Sequence, residues 1–327
     1  MAVRTQTNRF RPGRWLAALA AVALGLVVAA GWQADRPVDE LIAQYAWPDS
    51  RFVKIAGLDL HLVDRGPRDD PMPFVLLHGT SASLHTWEGW IDTLSATRRV
   101  IAYDLPGFGL TGPRPDGDYS VAVDVALLRD LLDRLGIEQV VVAGNSLGGH
   151  IAWESALALP ERVAGLILID SGGIPFTPEH IPLGFKLARL PLVKYALLRL
   201  TPRRIVAASV RAVYGDPKRV SEALIDRYFE LTLRPGNRRA LLARLQNRNL
   251  FSPDPERLQR IEVPTLILWG AADRLILPKT GLAFHRLIPA SRLVILPGLG
   301  HVPQEEGPEA TLGALVSSPF ATRHPSR

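Results

Sequence analysis

Short apolar runs separated by helical stretches constrain this 327-residue chain more than any other feature. Candidate strands are Arg51–Ile55, Asp59–Val63, Phe74–Leu77, Arg99–Tyr103, Gln139–Ala143, Val163–Ile169, Thr265–Trp269 and Arg292–Leu296. The later ones are unbroken apolar runs rather than alternating ones. Such runs suit strands buried on both faces of a parallel sheet that helices cover. The first two lie close together and read as an antiparallel hairpin at the sheet edge. No internal repeat or low-complexity tract interrupts the pattern.

The alternation breaks once. After Asp170 no strand candidate occurs before Thr265, and the residues between are helical stretches punctuated by prolines. This insertion, about residues 174–260, reads as a helical cap over the C-terminal edge of the sheet, where open α/β folds bind ligands. The core is expected over 50–173 and 261–318, a linker over 33–49 and a tail over 319–327. Charge is uneven: the insertion holds 17 Lys and Arg against 7 Asp and Glu, in a chain of net charge +6. Its stretch LGFKLARLPLVKYALLRL (183–200) is apolar with interspersed basic residues. That composition fits an anionic membrane surface, or a pocket roof whose cations face water. No nucleic-acid partner is expected, because the cations are not interleaved with aromatics and no binding motif is present.

Residues 15–32 form an uncharged run at the lower length limit for spanning a bilayer, and the basic segment 1–14 carries Arg4, Arg9, Arg11 and Arg14. This charge asymmetry predicts a membrane anchor with the rest of the chain on the outer side. Trp15 and Trp32 flank the run as interface anchors would. A cleaved signal peptide, with Val28–Ala29–Ala30 as cleavage site and a secreted product, is the alternative. The chain has no cysteine, which excludes disulfides, a thiol nucleophile and Cys-ligated metals.

The stretch VVVAGNSLGGHIAWESALAL (140–159) passes from a β-branched strand to a helix through Gly144, Asn145, Ser146 and Gly148. A turn that sharp lifts the Ser146 hydroxyl clear of the sheet and sets the Leu147 amide at the helix N-terminus, where negative charge is favoured. A glycine-rich junction with an incidental serine would look the same locally. In FVLLHGTSASLHTW (74–87), His78–Gly79–Thr80 directly follows a strand, and the Thr80 amide can serve as a second donor to an oxyanion. His78 itself is expected to be structural. Asp273 follows the strand Thr265–Trp269, and His301 follows Arg292–Leu296. An imidazole can take a serine proton near neutral pH, and a carboxylate can hold the imidazole in the correct tautomer. Alone, Asp273 could be a solvated partner of Arg274 and His301 an inconsequential loop residue; three such groups at strand ends point together to nucleophilic catalysis.

On these residues the chain resembles the α/β-hydrolase superfamily, in the branch with a helical cap after the sixth strand. The resemblance covers about residues 50–318. It rests on HGTSASLHTW, YDLPGFGLTG (103–112), GNSLGG (144–149), GAADRLILP (270–278) and GHVPQEE (300–306). It implies Ser146 as nucleophile, Asp273 as acid, His301 as base, and Thr80 and Leu147 as oxyanion amides. Haloalkane dehalogenases and epoxide hydrolases resemble the chain over the same motifs but carry aspartate at the elbow. Serine members include carboxylesterases, lactonases, lipases, cofactor-free haloperoxidase-like enzymes and hydrolases of carbon–carbon bonds in ring-cleavage products. GNSLGG is similar to the elbow of the last group, but HGTSAS lacks that group's extra glycines and no Trp follows His301.

The expectation is therefore a serine hydrolase of ester-type bonds in hydrophobic or lipid-like small molecules, with Leu84, Trp87 and Asn145 in the substrate pocket. Carbon–carbon or peroxide-dependent chemistry on the same triad is the alternative, and a non-catalytic ligand receptor is the alternative from another class. No metal or organic cofactor is expected, since no ligand cluster or phosphate-binding loop appears in the sequence.

Overall fold

A computed structural model describes residue 25 and residues 31–188, 190, 193–196, 198–246, 254–316 and 320. The apolar runs pair into one eight-stranded sheet: β1 (Arg51–Ile55), β2 (Leu58–Arg65), β3 (Phe74–Leu77), β4 (Val100–Tyr103), β5 (Val140–Asn145), β6 (Val163–Ile169), β7 (Thr265–Gly270) and β8 (Ser291–Leu296). The spatial order is β1-β2-β4-β3-β5-β6-β7-β8. The β1–β2 and β2–β4 pairs are antiparallel, and every later pair is parallel. The expected edge hairpin is present, turning through Ala56 and Gly57, both at positive φ.

The helices in chain order are α1 (Val38–Tyr45), α2 (Glu88–Leu94), α3 (Val121–Leu135), α4 (Leu147–Ala158), α5 (Leu183–Ala188), α6 (Val193–Ala196), α7 (Arg203–Val213), α8 (Glu222–Thr232), α9 (Asn237–Gln246), α10 (Pro278–Leu287), α11 (Pro303–Glu306) and α12 (Pro308–Val316). Successive residues of β5 feed opposite layers. Val140 and Val142 pack beneath α3, α4 and α10, whereas Val141 and Ala143 pack with Trp90 and Ile91 of α2 and Leu315 of α12. Full burial of each such aliphatic side chain contributes roughly 1.5–3 kcal/mol. Helices α5–α9 form the cap, and all chemistry expected at strand ends lies beneath them.

Three boundaries differ from the sequence expectation. The stretch 33–49, expected to be an irregular linker, contains α1, whose Leu41 is fully buried with Leu110 and Leu231. Its short pattern between Pro37 and Pro48 carries little intrinsic helix signal, and tertiary packing supplies the stability. The last part of the expected cap is a 3₁₀ turn, Pro255–Arg260, whose Leu258 belongs to the core. Phe320, in the expected tail, is buried against Gly165 of β6. The expected anchor or signal run 15–32 lies outside the described residues except for Gly25, Gly31 and Trp32. Among the described residues no helix is long and apolar enough to cross a membrane.

Candidate active site

Ser146 sits between β5 and α4 with φ +55° and ψ −112°, a conformation L-residues rarely adopt. The turn is held from several sides: the Ser146 N–H donates to Ile169 O at 3.1 Å, and its carbonyl accepts from Gly172 N at 2.9 Å. Two glycines make the turn possible. A Cβ on Gly144 would lie 2.1 Å from Gly148 O, and one on Gly148 would lie 2.1 Å from Leu77 O. Leu147 is the first residue of α4, so its N–H has no acceptor within the helix.

The loop after β3 brings Gly79 and Thr80 beside Ser146 on the wall of a cavity of about 460 Å³. Leu147, Asn145 and His301 line the same cavity, and the cap closes it with apolar side chains such as Phe185, Val206 and Leu241. Buried Asp104 fixes this loop: its carboxylate accepts from Leu84 N and Leu110 N, both at 2.7 Å, and lies 2.7 Å from His61 Nδ1. Burial opposes ionisation of Asp104, but the neighbouring histidines hold its pKa below the usual carboxylate range. His78 is structural, as expected. It is fully buried, its Nδ1 is 2.7 Å from Gly79 O, and its Nε2 accepts from Leu105 N at 2.9 Å. Burial pushes its pKa down and keeps the ring neutral.

His301 Nδ1 lies 2.7 Å from Asp273 Oδ2. The other oxygen of Asp273 accepts from Leu275 N at 2.8 Å and Ile276 N at 3.0 Å, which orients the carboxyl toward the imidazole. The His301 backbone is anchored by its N–H donating to Val213 O at 2.7 Å, and by Asn145 Nδ2 donating to its carbonyl at 2.9 Å. Asn145, expected to touch substrate, thus has its amide committed to backbone carbonyls of Ile169 and His301.

Leu84 and Trp87 require correction. Both are fully buried in the core cluster with Trp90 and Ile91 and do not line the cavity. The 3₁₀ turn Leu84–Trp87 directs them into the α2 layer instead of toward Ser146. Ala82, Phe176 and Leu275 occupy cavity positions that sequence reasoning did not single out.

Two acidic residues that the sequence reading left without a role also shape the site. Glu306 accepts from Gly300 N at 2.7 Å, Asp216 N at 2.9 Å and Gly215 N at 3.0 Å, so it staples the His301 loop to the cap. Asp170, fully buried at the end of β6 with φ +43°, accepts from Gly270 N at 3.0 Å. Burial, reinforced by the charge of adjacent Asp273, pushes the Asp170 pKa well above the carboxylate range. That direction favours the protonated acid, a form that can donate to Asp273. Ligand atoms of Asp170, Asp273 and His301 converge within 4.8 Å of one another. The carboxylate oxygens accept from the backbone N–H groups of Gly270, Leu275 and Ile276, and Asp273 Oδ2 also meets His301 Nδ1. On the cavity wall, His150 stacks on Trp153, and burial lowers its pKa to about 4.

A strained serine on a strand-to-helix elbow, a buried His–Asp pair beside it and a roofed apolar cavity define a hydrolase of α/β fold. The chain matches the α/β-hydrolase fold family over residues 72–308 and belongs to it. It is 31% identical over 266 residues to 2-hydroxy-6-oxo-2,4-heptadienoate hydrolase of Pseudomonas putida, covering 78% of this chain and 91% of that one. The solved 2-hydroxy-6-oxo-6-phenylhexa-2,4-dienoate hydrolase of Rhodococcus sp. strain RHA1 superposes with TM-score 0.70 at 25% identity, over 82% of this chain and 96% of that one. A thermophilic esterase of Thermogutta terrifontis superposes with TM-score 0.67 at 26% identity, over 81% and 95%.

Proposed function

We propose that this chain hydrolyses the bond between a carbonyl carbon and its neighbour in a largely apolar small molecule, with Ser146 as nucleophile. The observation that carries the reading is the convergence of Ser146 and the His301–Asp273 pair on one apolar cavity. His301 takes the Ser146 proton as Oγ attacks the carbonyl carbon, and Asp273 stabilises the imidazolium that forms. The amides of Leu147 and Thr80 receive the developing oxyanion, and loss of one such donor costs about 2.7–4 kcal/mol of transition-state stabilisation. Collapse breaks the acyl bond, and His301 returns its proton to the leaving atom. Water, activated by the same imidazole, then cleaves the acyl-enzyme to the acid and frees Ser146.

The leaving atom is carbon in the first reading, a role the expectation from sequence placed second. It is supported by relatives named as hydrolases of 2-hydroxy-6-oxo dienoates, together with the GNSLGG elbow. A second reading, ester cleavage, is favoured by the cavity's charge. Among the described lining residues the arginine is Arg238, and it is already engaged by Gln33 O and Asp35. A substrate carboxylate would thus meet no free guanidinium, whereas a neutral ester needs none.

Both readings are tested with the full chain and Ser146→Ala against a ring-cleavage dienoate and p-nitrophenyl esters from acetate to palmitate. Faster turnover of the dienoate, lost in Ser146→Ala, supports carbon–carbon cleavage. Turnover that peaks at one ester length, with the dienoate inert, supports the second reading. A folded protein that turns over neither would sink both.

A further inference from the structure

We propose that the outer face of the cap, at Trp32, α5, Leu190 and Tyr195, docks on the surface of an anionic lipid bilayer. The large apolar side chains of these residues are exposed: Trp32 (54%), Leu183 (43%), Leu190 (48%) and Tyr195 (64%). Helix α5 is apolar on both sides. Phe185 and Ala188 line the cavity, while Leu183 faces outward. Exposed apolar side chains on a protein surface mark a site of interaction.

Backbone and ion pairing fix Trp32 and the residues after it to the cap. Trp32 pairs with Leu200 in an isolated antiparallel bridge, and Gln33 N–H donates to Arg199 O at 2.8 Å. Arg238 donates to Gln33 O and to Asp35, and Arg199 reaches Asp35 at 3.2 Å. Arg36 N–H donates to Leu233 O, and its guanidinium pairs with Glu230 at 3.0 Å. Trp32, the last residue of the uncharged run 15–32, is therefore fixed to the cap by Leu200 and, through Gln33, by Arg199.

Charge selects the anionic bilayer over a second copy. Lys186 and Arg204 are exposed on the cap, and the insertion as a whole is strongly basic. Two copies meeting through this face would repel, whereas anionic headgroups attract its cations while the leucines enter the acyl boundary. Phe185 and Ala188 would then sit just behind the docked face, so an apolar molecule could pass from the bilayer to the cavity without crossing water. That last consequence rests on the proposed hydrolase function; the docking does not.

Because the chain has no cysteine, single reporters can be placed cleanly. Full-length Leu190→Cys and Tyr195→Cys, and the control Glu138→Cys before β5 at the opposite edge of the sheet, are labelled with an environment-sensitive fluorophore. They are mixed with phosphatidylcholine vesicles, with or without phosphatidylglycerol, carrying a lipid-borne nitroxide quencher. Docking predicts loss of most fluorescence at positions 190 and 195, none at 138, and weaker quenching without phosphatidylglycerol. Labels at 190 and 195 that stay bright while the protein floats with the vesicles would overturn the proposal, as would absence of vesicle binding. Concentration-dependent shielding of those labels without lipid would assign the face to a second copy instead, and equal quenching in phosphatidylcholine alone would remove the anionic requirement.

Discussion

Ser146 keeps its backbone at φ +55° because β5, β6 and α4 all converge on it, through Gly144, Ile169 and Gly148. Strain of that kind persists only where the surroundings over-determine it. Asp170 is a different case, a buried acid whose raised pKa favours the protonated form that can donate to Asp273. Asp170→Asn keeps an N–H donor for Asp273 and an oxygen for Gly270 N–H, so kcat/KM should stay within about tenfold of wild type. Asp170→Leu removes both and should cost about 1–3 kcal/mol of stability, read from denaturant melts. The pH dependence follows from the raised native pKa. Above about pH 4 the unfolded chain releases a proton that native Asp170 retains, so wild-type stability falls as pH rises. Asp170→Asn lacks this loss, and its melting temperature should gain on wild type as pH rises above about 4; a gap that does not change with pH would refute the protonated assignment. Ser146, Asp273 and His301 were legible because each follows an apolar strand with little chain between. Asp170 and Glu306 were not, since their partners are backbone N–H groups and carboxyls that only the fold brings near.

At the scale of elements, the cap is latched to the core by a buried ion pair. Arg244 of α9 donates to Asp124 of α3 at 2.8 and 3.1 Å, and also to Pro106 O at 2.9 Å. Arg244 is 3% exposed and Asp124 is fully buried. Arg244→Ala strands a buried carboxylate and should cost about 3–5 kcal/mol, measured as a lowered denaturation midpoint. Adding Asp124→Leu should recover much of that loss, because neither charge is then buried alone. An Arg244→Ala variant as stable as wild type would show that the latch contributes nothing. The strand elements were readable to within a residue or two, because continuous apolar runs between turn residues admit few boundaries. Helix α1 was missed because its helicity depends on Leu41 packing against Leu110 and Leu231, and on Tyr45 donating to Glu230 at 2.7 Å. Leu84 and Trp87 were misplaced for the complementary reason. Proximity to the HGTSAS loop says nothing about which side of a 3₁₀ turn a side chain leaves.

For the whole molecule, sheet order and cap insertion together place a serine, an imidazole and two backbone amides around one apolar cavity. The order β1-β2-β4-β3-β5-β6-β7-β8 brings β5, β6, β7 and β8 side by side, so Ser146, Asp170, Asp273 and His301 emerge at one edge. The convergence of Ser146, Asp273 and His301 could be anticipated from the chain order of the motifs, and that of Asp170 could not. The contents of the cavity could not, since its lining comes from cap helices whose packing on the core no local pattern specifies. The central claim is that Ser146 is a nucleophile activated by His301. Its most direct test is peptide mass spectrometry after brief exposure to a fluorophosphonate, with wild type beside Ser146→Ala and His301→Asn. The account predicts a phosphonyl adduct on the Ser146 peptide in wild type, none in Ser146→Ala, and labelling slowed by several orders of magnitude in His301→Asn. An unlabelled Ser146 in folded wild type, or equal labelling rates with and without His301, would contradict it.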